Sequence, residues 1–423
     1  MFKPTIVLLW MFIFSFNCLA QQQSLPKTSA GFPINFNEDA VGTYILPDIL
    51  RLDNGQKVSG EKEWIEKRRP EILQMIEHIQ FGKSPGRPAQ LNGQVVEQGA
   101  AFRGKAIRKQ VVLCFTKDDC SYPVNMLVYV PSASIKPVPL LLNLSFSANN
   151  QLVNDSAVRT GYTWTKDGRR VKADTSSRFS KMNIEQFIDA GLGFATIYYG
   201  DIEPDFKQGY KYGVRSLYKD SSQYNWAAIS AWAWGLSRAM DYFEKDKDVN
   251  SRRIALQGAS RLGKAVLWAG ARDTRFKMVL ASISGEGGAA LSKRNYGENM
   301  LHITDTSRYY YWFTPEYHDY ATHSQDLPFD AHMLLALMAP RPLLLQTGDS
   351  DYWSDPYGEF LSTPEASRVY ALLGKSSLLH KEYPQAGNTS LLMNELGYYM
   401  HQGGHTVLPE DWTLFITYMK KYL

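Results

Sequence analysis

The chain has 423 residues, of which 44% are hydrophobic and 21% charged, and its formal net charge of +4 comes without a basic block. Such a chain can bury a large core; the composition excludes disorder and leaves no electrostatic footprint for nucleic acid. Beyond the first twenty residues no apolar stretch reaches the roughly eighteen residues of a membrane span, so none is expected.

The N-terminus starts with Met1-Phe2-Lys3, continues as an apolar run from Ile6 to Phe16 and ends in Cys18-Leu19-Ala20. This pattern reads as a signal peptide over residues 1–20, which implies export to the periplasm or the medium. Cys18 as a lipidated cysteine is the alternative, although Ser15-Phe16-Asn17 is a poor context for it. Residues 21 to about 100 read as an irregular lead-in, with a helix near Trp64 to Gln80 and a loop at Lys83 to Pro88.

Short β-leaning runs then follow at Gln110–Phe115, Val124–Val130, Leu140–Leu144, Gly193–Tyr198, Ile254–Gln257, Met278–Ile283 and Leu343–Gln346. Several are continuously apolar, as strands buried on both faces are. Helices are expected at Trp226–Lys245, Gly263–Ala271, His332–Met338 and Glu410–Tyr422. Alternation of this kind predicts an α/β protein with a mostly parallel central sheet flanked by helices, in one domain over residues 21–423. Ligands of such a sheet sit at the carboxyl ends of its strands. Cys114 and Cys120 flank an expected turn at Lys117-Asp118-Asp119, and either a disulfide or two buried thiols fits them. Two cysteines make no zinc site, and His401 and His405 are separated by two glycines, so no metal or other cofactor is expected.

The chemistry centres on Gly258-Ala259-Ser260-Arg261-Leu262-Gly263-Lys264, where an apolar strand runs into a serine and a helix follows at once. A nucleophile elbow needs this context, because a serine in a tight turn requires small neighbours. The second glycine stands one residue later than in the common Gly-x-Ser-x-Gly form, and a capping serine would use the same position. The base should follow later in the chain, and His405, in a Gly-Gly-His loop before the last helix, is favoured over His401. For the acid, Asp351 in the loop after the Leu343 strand is preferred to its neighbours Asp349 and Asp355; Glu286, in Ser284-Gly285-Glu286-Gly287-Gly288, is the alternative. The aromatic run Tyr309–Phe313 reads as core or lid packing, with no site role.

At these residues the chain resembles the glucuronoyl esterases, carbohydrate esterase family fifteen, of the α/β-hydrolase superfamily. Their elbow reads Gly-Cys-Ser-Arg-x-Gly-Lys, which accounts for the displaced glycine. The likeness continues through Tyr198–Ile202, Glu286–Gly288, Asn295–Glu298, Ala339–Pro342, Asp351–Pro356 and Gly404-His405. It implies a three-layer hydrolase sandwich and hydrolysis of the ester between (4-O-methyl-)glucuronic acid of glucuronoxylan and lignin alcohols. By position it implies that Arg261 assists the oxyanion, that Lys264 and Glu298 hold the uronate hydroxyls and that Trp353 flanks the ring. Many members carry the acid as a glutamate where this chain has Ile283; some bacterial ones use the later loop, in agreement with Asp351. A monomer acting on a glucuronoxylan or lignin–carbohydrate ester is expected. The rival readings are an acetyl or feruloyl esterase on the same fold and a carbohydrate-binding relative that has lost catalysis.

Overall fold

Strand sequences in which every second side chain goes to a different core define this molecule. In Val138–Ser145, Leu140, Leu142 and Leu144 pack into one hydrophobic cluster and Leu141 into another. In Met278–Ser282, Val279 and Ala281 face the first cluster while Met278 and Leu280 face the second. Period-two alternation between two apolar faces requires cover on both sides, which is why these runs are continuously hydrophobic. The computed structural model describes residues 25–88, 91–116, 120, 122–174, 176, 181–218, 225–376, 378–379 and 381–423. The signal-peptide reading at 1–20 and the turn expected at 117–119 lie outside them.

Nine strands form the sheet: β1 (Asn92–Ala101), β2 (Ala106–Cys114), β3 (Val124–Pro131), β4 (Val138–Ser145), β5 (Gly193–Tyr198), β6 (Val249–Ala259), β7 (Met278–Ser282), β8 (Leu343–Gly348) and β9 (Leu396–His401). Their spatial order is β9-β8-β7-β6-β4-β5-β3-β2-β1. From β5 to β9 all neighbours are parallel, whereas β1, β2 and β3 add on as an antiparallel extension.

On one face pack α1 (Arg69–Ile76), α2 (Ala228–Phe243), α3 (Arg261–Arg272), α4 (Ala331–Ala336) and α5 (Pro356–Leu372). The other face is covered by Glu185–Asp189 and by α6 (Pro409–Tyr422), through Phe187, Phe415, Tyr418 and Met419. This is the expected α/β-hydrolase sandwich. The helix expected near Trp64 is part of a helical run from Glu61 to Phe81 in which α and π turns alternate.

Three elements depart from the sequence reading. β1 falls in the stretch read as irregular; it is an edge strand with mostly exposed side chains, so it carries little apolar signal. β9 was not anticipated, nor was α5, which contains Pro364 and buries Gly358, Glu359, Ser362, Thr363 and Ser367, so that no hydrophobic stripe marks it. Cys114 and Cys120, for which the sequence leaves two states open, are joined in a disulfide. Among the described residues no helix is long and apolar enough to cross a membrane.

Candidate active site

Ser260 ends β6 and begins α3 in a conformation that few non-glycine residues adopt, φ 56° and ψ −129°. Strain of this kind persists only where the surroundings over-determine it. Here the Ser260 N–H donates to Ser282 O of the neighbouring strand at 2.9 Å, and the Lys264 N–H donates to Ser260 O at 3.2 Å. A Cβ on Gly258 would stand 2.4 Å from Leu262 O, and one on Gly263 would stand 2.9 Å from Ser282 O. Both glycines are therefore demanded by close backbone approach, and the later of the two belongs to the packing of α3 on β7.

β6, β7, β8 and β9 lie side by side and parallel, so the loops that follow them emerge at the same end of the sheet. Ser260 follows β6, Asp351 follows β8 and His405 follows β9. The last two loops are joined by hydrogen bonds: Ser350 N–H donates to the backbone Gly403 O at 3.0 Å, and Gly403 N–H donates to the side-chain Asp349 Oδ1 at 2.8 Å. A Cβ on Gly348 would lie 2.5 Å from the carbonyl oxygens of Gly403 and Gly404, which explains a glycine at the end of β8.

His405 Nδ1 lies 2.7 Å from Asp351 Oδ2 and 3.0 Å from Ser354 Oγ. A proton on Nδ1 satisfies the buried carboxylate and leaves Nε2 free to accept one. The His405 side chain is 42% exposed and that of Asp351 only 4%. His401 is instead buried, with Nδ1 2.8 Å from Asp411 Oδ2. Asp355 caps α5, accepting from the Gly358 N–H at 2.9 Å.

The alternative acid, Glu286, makes its hydrogen bonds elsewhere: it accepts from Tyr317 OH at 2.8 Å and from Ser292 Oγ at 2.9 Å. Burial raises its pKa to about 8. A second buried carboxyl, Glu359 on α5, accepts from the Gly285 N–H at 2.5 Å and from Ser284 Oγ at 3.4 Å, and burial raises it to about 8 as well. Nothing in its sequence surroundings marks Glu359, because its neighbours are joined to it only by the fold.

Arg261 and Lys264 leave the first turn of α3 toward different surroundings. The Arg261 guanidinium pairs with Asp205 and lies 4.6 Å from the Trp312 ring, 5.2 Å from Tyr309 and 5.6 Å from Phe146. Burial alone would lower its pKa, but the Asp205 carboxylate outweighs that and holds the charge in place. Asp205 is itself fixed by Trp312 Nε1 at 2.7 Å and Tyr311 OH at 2.9 Å. The run Tyr309–Phe313, read from sequence as core or lid packing, packs around the Arg261 guanidinium and its partner Asp205. Tyr309 and Trp312 stack with centroids 4.0 Å apart.

Lys264 is 3% exposed and its Nζ donates to Ser284 O at 2.6 Å. Burial lowers its pKa, against the attraction of Glu298, Glu286 and Glu359. Glu298 forms its ion pair with Arg308, at 3.1 Å. Its N–H donates to Trp353 O at 2.8 Å, and Gly297, at φ +57°, leaves no room for a Cβ against Trp353 O at 2.5 Å, so Glu298 and Trp353 are neighbours. The Trp353 ring lies 5.2 Å from the Arg308 guanidinium carbon and 5.6 Å from the His302 ring.

The family profile described as "Glucuronyl esterase, fungi" matches residues 185–374. A carbohydrate esterase of an unknown prokaryotic organism is 38% identical over 403 residues, 92% of each chain. The solved glucuronoyl esterase of Solibacter usitatus superposes with a TM-score of 0.85 at 42% identity, covering 90% of this chain and 99% of that one. A structure described as a promiscuous esterase of the same family, from a marine bacterial metagenome, gives a TM-score of 0.82 at 37% identity, over 92% and 100% of the two chains. With an elbow serine, a histidine–aspartate pair on adjacent strand ends and this likeness over nearly its whole length, the chain belongs to carbohydrate esterase family fifteen, the glucuronoyl esterases.

Proposed function

We propose that this chain hydrolyses the ester between (4-O-methyl-)glucuronic acid of glucuronoxylan and a lignin alcohol, through an acyl-enzyme on Ser260. The observation that supports this reading is a serine elbow at Ser260 on the same end of the sheet as a histidine whose Nδ1 is held 2.7 Å from a buried aspartate. His405 Nε2 takes the Ser260 proton as Oγ attacks the C6 carbonyl, and returns it to the leaving alcohol. Asp351 holds the imidazole tautomer and stabilises the imidazolium. Water then attacks the acyl-enzyme, His405 acting again as base.

Charge develops on the carbonyl oxygen in both steps. Arg261, the first residue of α3, has a backbone N–H with no acceptor inside the helix, and its caged guanidinium adds a fixed positive charge beside it. Lys264, Glu298 and Trp353 hold the sugar: an ammonium and a carboxylate for its hydroxyls, and an indole for its face. Glu286, hydrogen-bonded to Tyr317 and Ser292, supports the loop without orienting the histidine. Serine chemistry of this type needs no metal or cofactor. The N-terminal pattern and the Cys114–Cys120 disulfide support export to an oxidising compartment, and the enzyme acts there as a monomer.

The decisive experiment compares the benzyl ester of glucuronic acid with acetylated and feruloylated xylan, using wild type and Ser260→Ala. Turnover of the uronate ester alone, lost by about 10⁵-fold or more in the variant, is expected for a nucleophile. Preference for acetyl or feruloyl groups would replace the substrate assignment. Full activity of Ser260→Ala would remove the nucleophile.

A further inference from the structure

A cavity of about 240 Å³ opens between the antiparallel part of the sheet and the segments that follow β4 and β5. It is distinct from the esterase site. Tyr198 lines it and packs edge-on against Tyr199 at 5.4 Å; Tyr199 packs on Phe146 at 5.5 Å, and Phe146 lies under the Arg261 guanidinium. A short relay of rings thus separates the cavity from the neighbour of the nucleophile.

The polar groups of the wall have an unfilled demand for donors. Asp201 accepts from the Asn125 N–H at 3.2 Å and from Asn125 Nδ2 at 2.8 Å. Asn149 donates through Nδ2 to Asn125 O at 3.1 Å, but its Oδ1 is buried with no hydrogen-bond partner among the described residues. A buried acceptor without a donor is rare in folded proteins, and a turn of the Asn149 amide toward the cavity it lines would bring this oxygen to a ligand hydroxyl. At the mouth, Arg170 stacks 4.6 Å over the half-exposed ring of Tyr162, leaving guanidinium N–H groups for a ligand oxygen.

Charge and size narrow the ligand. Arg159 and Arg170 at the rim repel a cation, and the Asp201 carboxyl inside repels an anion. Burial raises Asp201 to about 6, so the group switches between acceptor and donor near neutrality, and a hydroxyl can meet either form. Pockets for drug-sized ligands hold roughly 300–1,000 Å³, so this one suits a single ring.

We propose that this cavity is a second saccharide subsite, taking one neutral pyranose through Asn149, Asp201 and Arg170; the choice of xylose as that pyranose rests on the esterase reading. The test measures binding of D-xylose to the full chain by calorimetry or saturation-transfer NMR, with glucuronate as the charged control. Wild type should bind xylose saturably. Arg170→Ala, an exposed change that spares the fold, and Asn149→Leu, checked by circular dichroism, should each weaken binding by about ten-fold, as expected for one lost hydrogen bond. Turnover of the benzyl glucuronate ester should not change in either variant.

If xylose competes with a glucuronoxylan-borne ester but not with the benzyl ester, the subsite holds the polymer's own backbone. If it competes with neither, the subsite takes free sugar; both results uphold the site. Absence of saturable xylose binding to wild type, or equal binding by both variants, overturns it. Loss of the esterase reading with xylose binding intact would leave the cavity standing, so the two failures are distinguishable.

Discussion

Two groups of charges lie within a few residues of one another, and they are neutralised in opposite ways. Around the mouth each charged group has a strong polar partner: Arg261 pairs with Asp205, Glu298 with Arg308, and Asp351 accepts from the His405 imidazole. Around the Ser284–Gly288 loop the partners are neutral. Lys264 rests on a carbonyl, Glu286 on two hydroxyls and Glu359 on a backbone N–H. The Asp205 carboxylate keeps the partly buried Arg261 charged. Unpaired charges are pushed toward neutrality by burial, which raises both carboxyls to about 8 and lowers the lysine.

The comparison can be broken most directly at the histidine. Asp351→Asn should lower kcat by about 10²–10⁴-fold with the fold intact, since the imidazole loses tautomer control and its counter-charge. Ser354 Oγ, 3.0 Å from Nδ1, keeps the ring oriented and favours the lower end of that range. Glu286→Gln should leave kcat within about three-fold, because a neutral amide replaces a carboxyl already close to neutral. A reversal of the two, measured on the benzyl ester, would transfer the acid to the inner loop.

Arg261→Ala should cost about 10²–10³-fold in kcat with little change in KM, the signature of a donor used in the transition state. Asp205→Asn tests the cage: it should retain the arginine but release it, costing about ten-fold, a smaller loss than removal of the arginine. Equal losses in both would mean that Asp205 does more than hold the guanidinium.

Lys264→Met should act mainly on KM, raising it by about ten-fold or more, since a hydrogen bond from a charged group to a sugar hydroxyl is made in ground and transition states alike. A pure kcat effect would place Lys264 with Arg261 and erase the distinction between the two groups.

The last effect is on stability. Glu359 titrates near 4.5 when unfolded and near 8 when folded, so the folded state holds the proton more tightly. Its contribution is fully present below pH 4.5, is lost as pH rises toward 8, and is level above that. Glu359→Gln keeps an oxygen for the Gly285 N–H without the titration. Its Tm relative to wild type should therefore climb between about pH 4.5 and 8, as read by thermal melts across that range. A flat difference would show that the carboxyl is ionised throughout.

Much of the proposed catalytic arrangement is legible in the chain because its signals are local. The β6–Ser260–α3 passage is contiguous, and the glycines at 258 and 263 answer contacts made within that one turn and its neighbouring strand. Asp351 is reachable because its loop follows an apolar strand, and His405 because its glycine loop precedes the last helix; that β8 and β9 bring the two loops to one end is seen only in the sheet. The aromatic run at 309–313 carries no comparable local mark. Its role arises because Trp312 meets an arginine 51 positions earlier and an aspartate 107 positions earlier.

The sequence by itself thus determined the sheet's buried strands other than β9, together with the strand–serine–helix passage at Ser260, because periodicity and tight turns are properties of neighbouring residues. Only the tertiary structure decided which carboxyl touches His405, which carboxyls are driven neutral and which partner fixes Arg261. Those outcomes depend on burial and on contacts between segments 50 to 100 residues apart, and no local pattern encodes the dielectric surroundings that such packing creates.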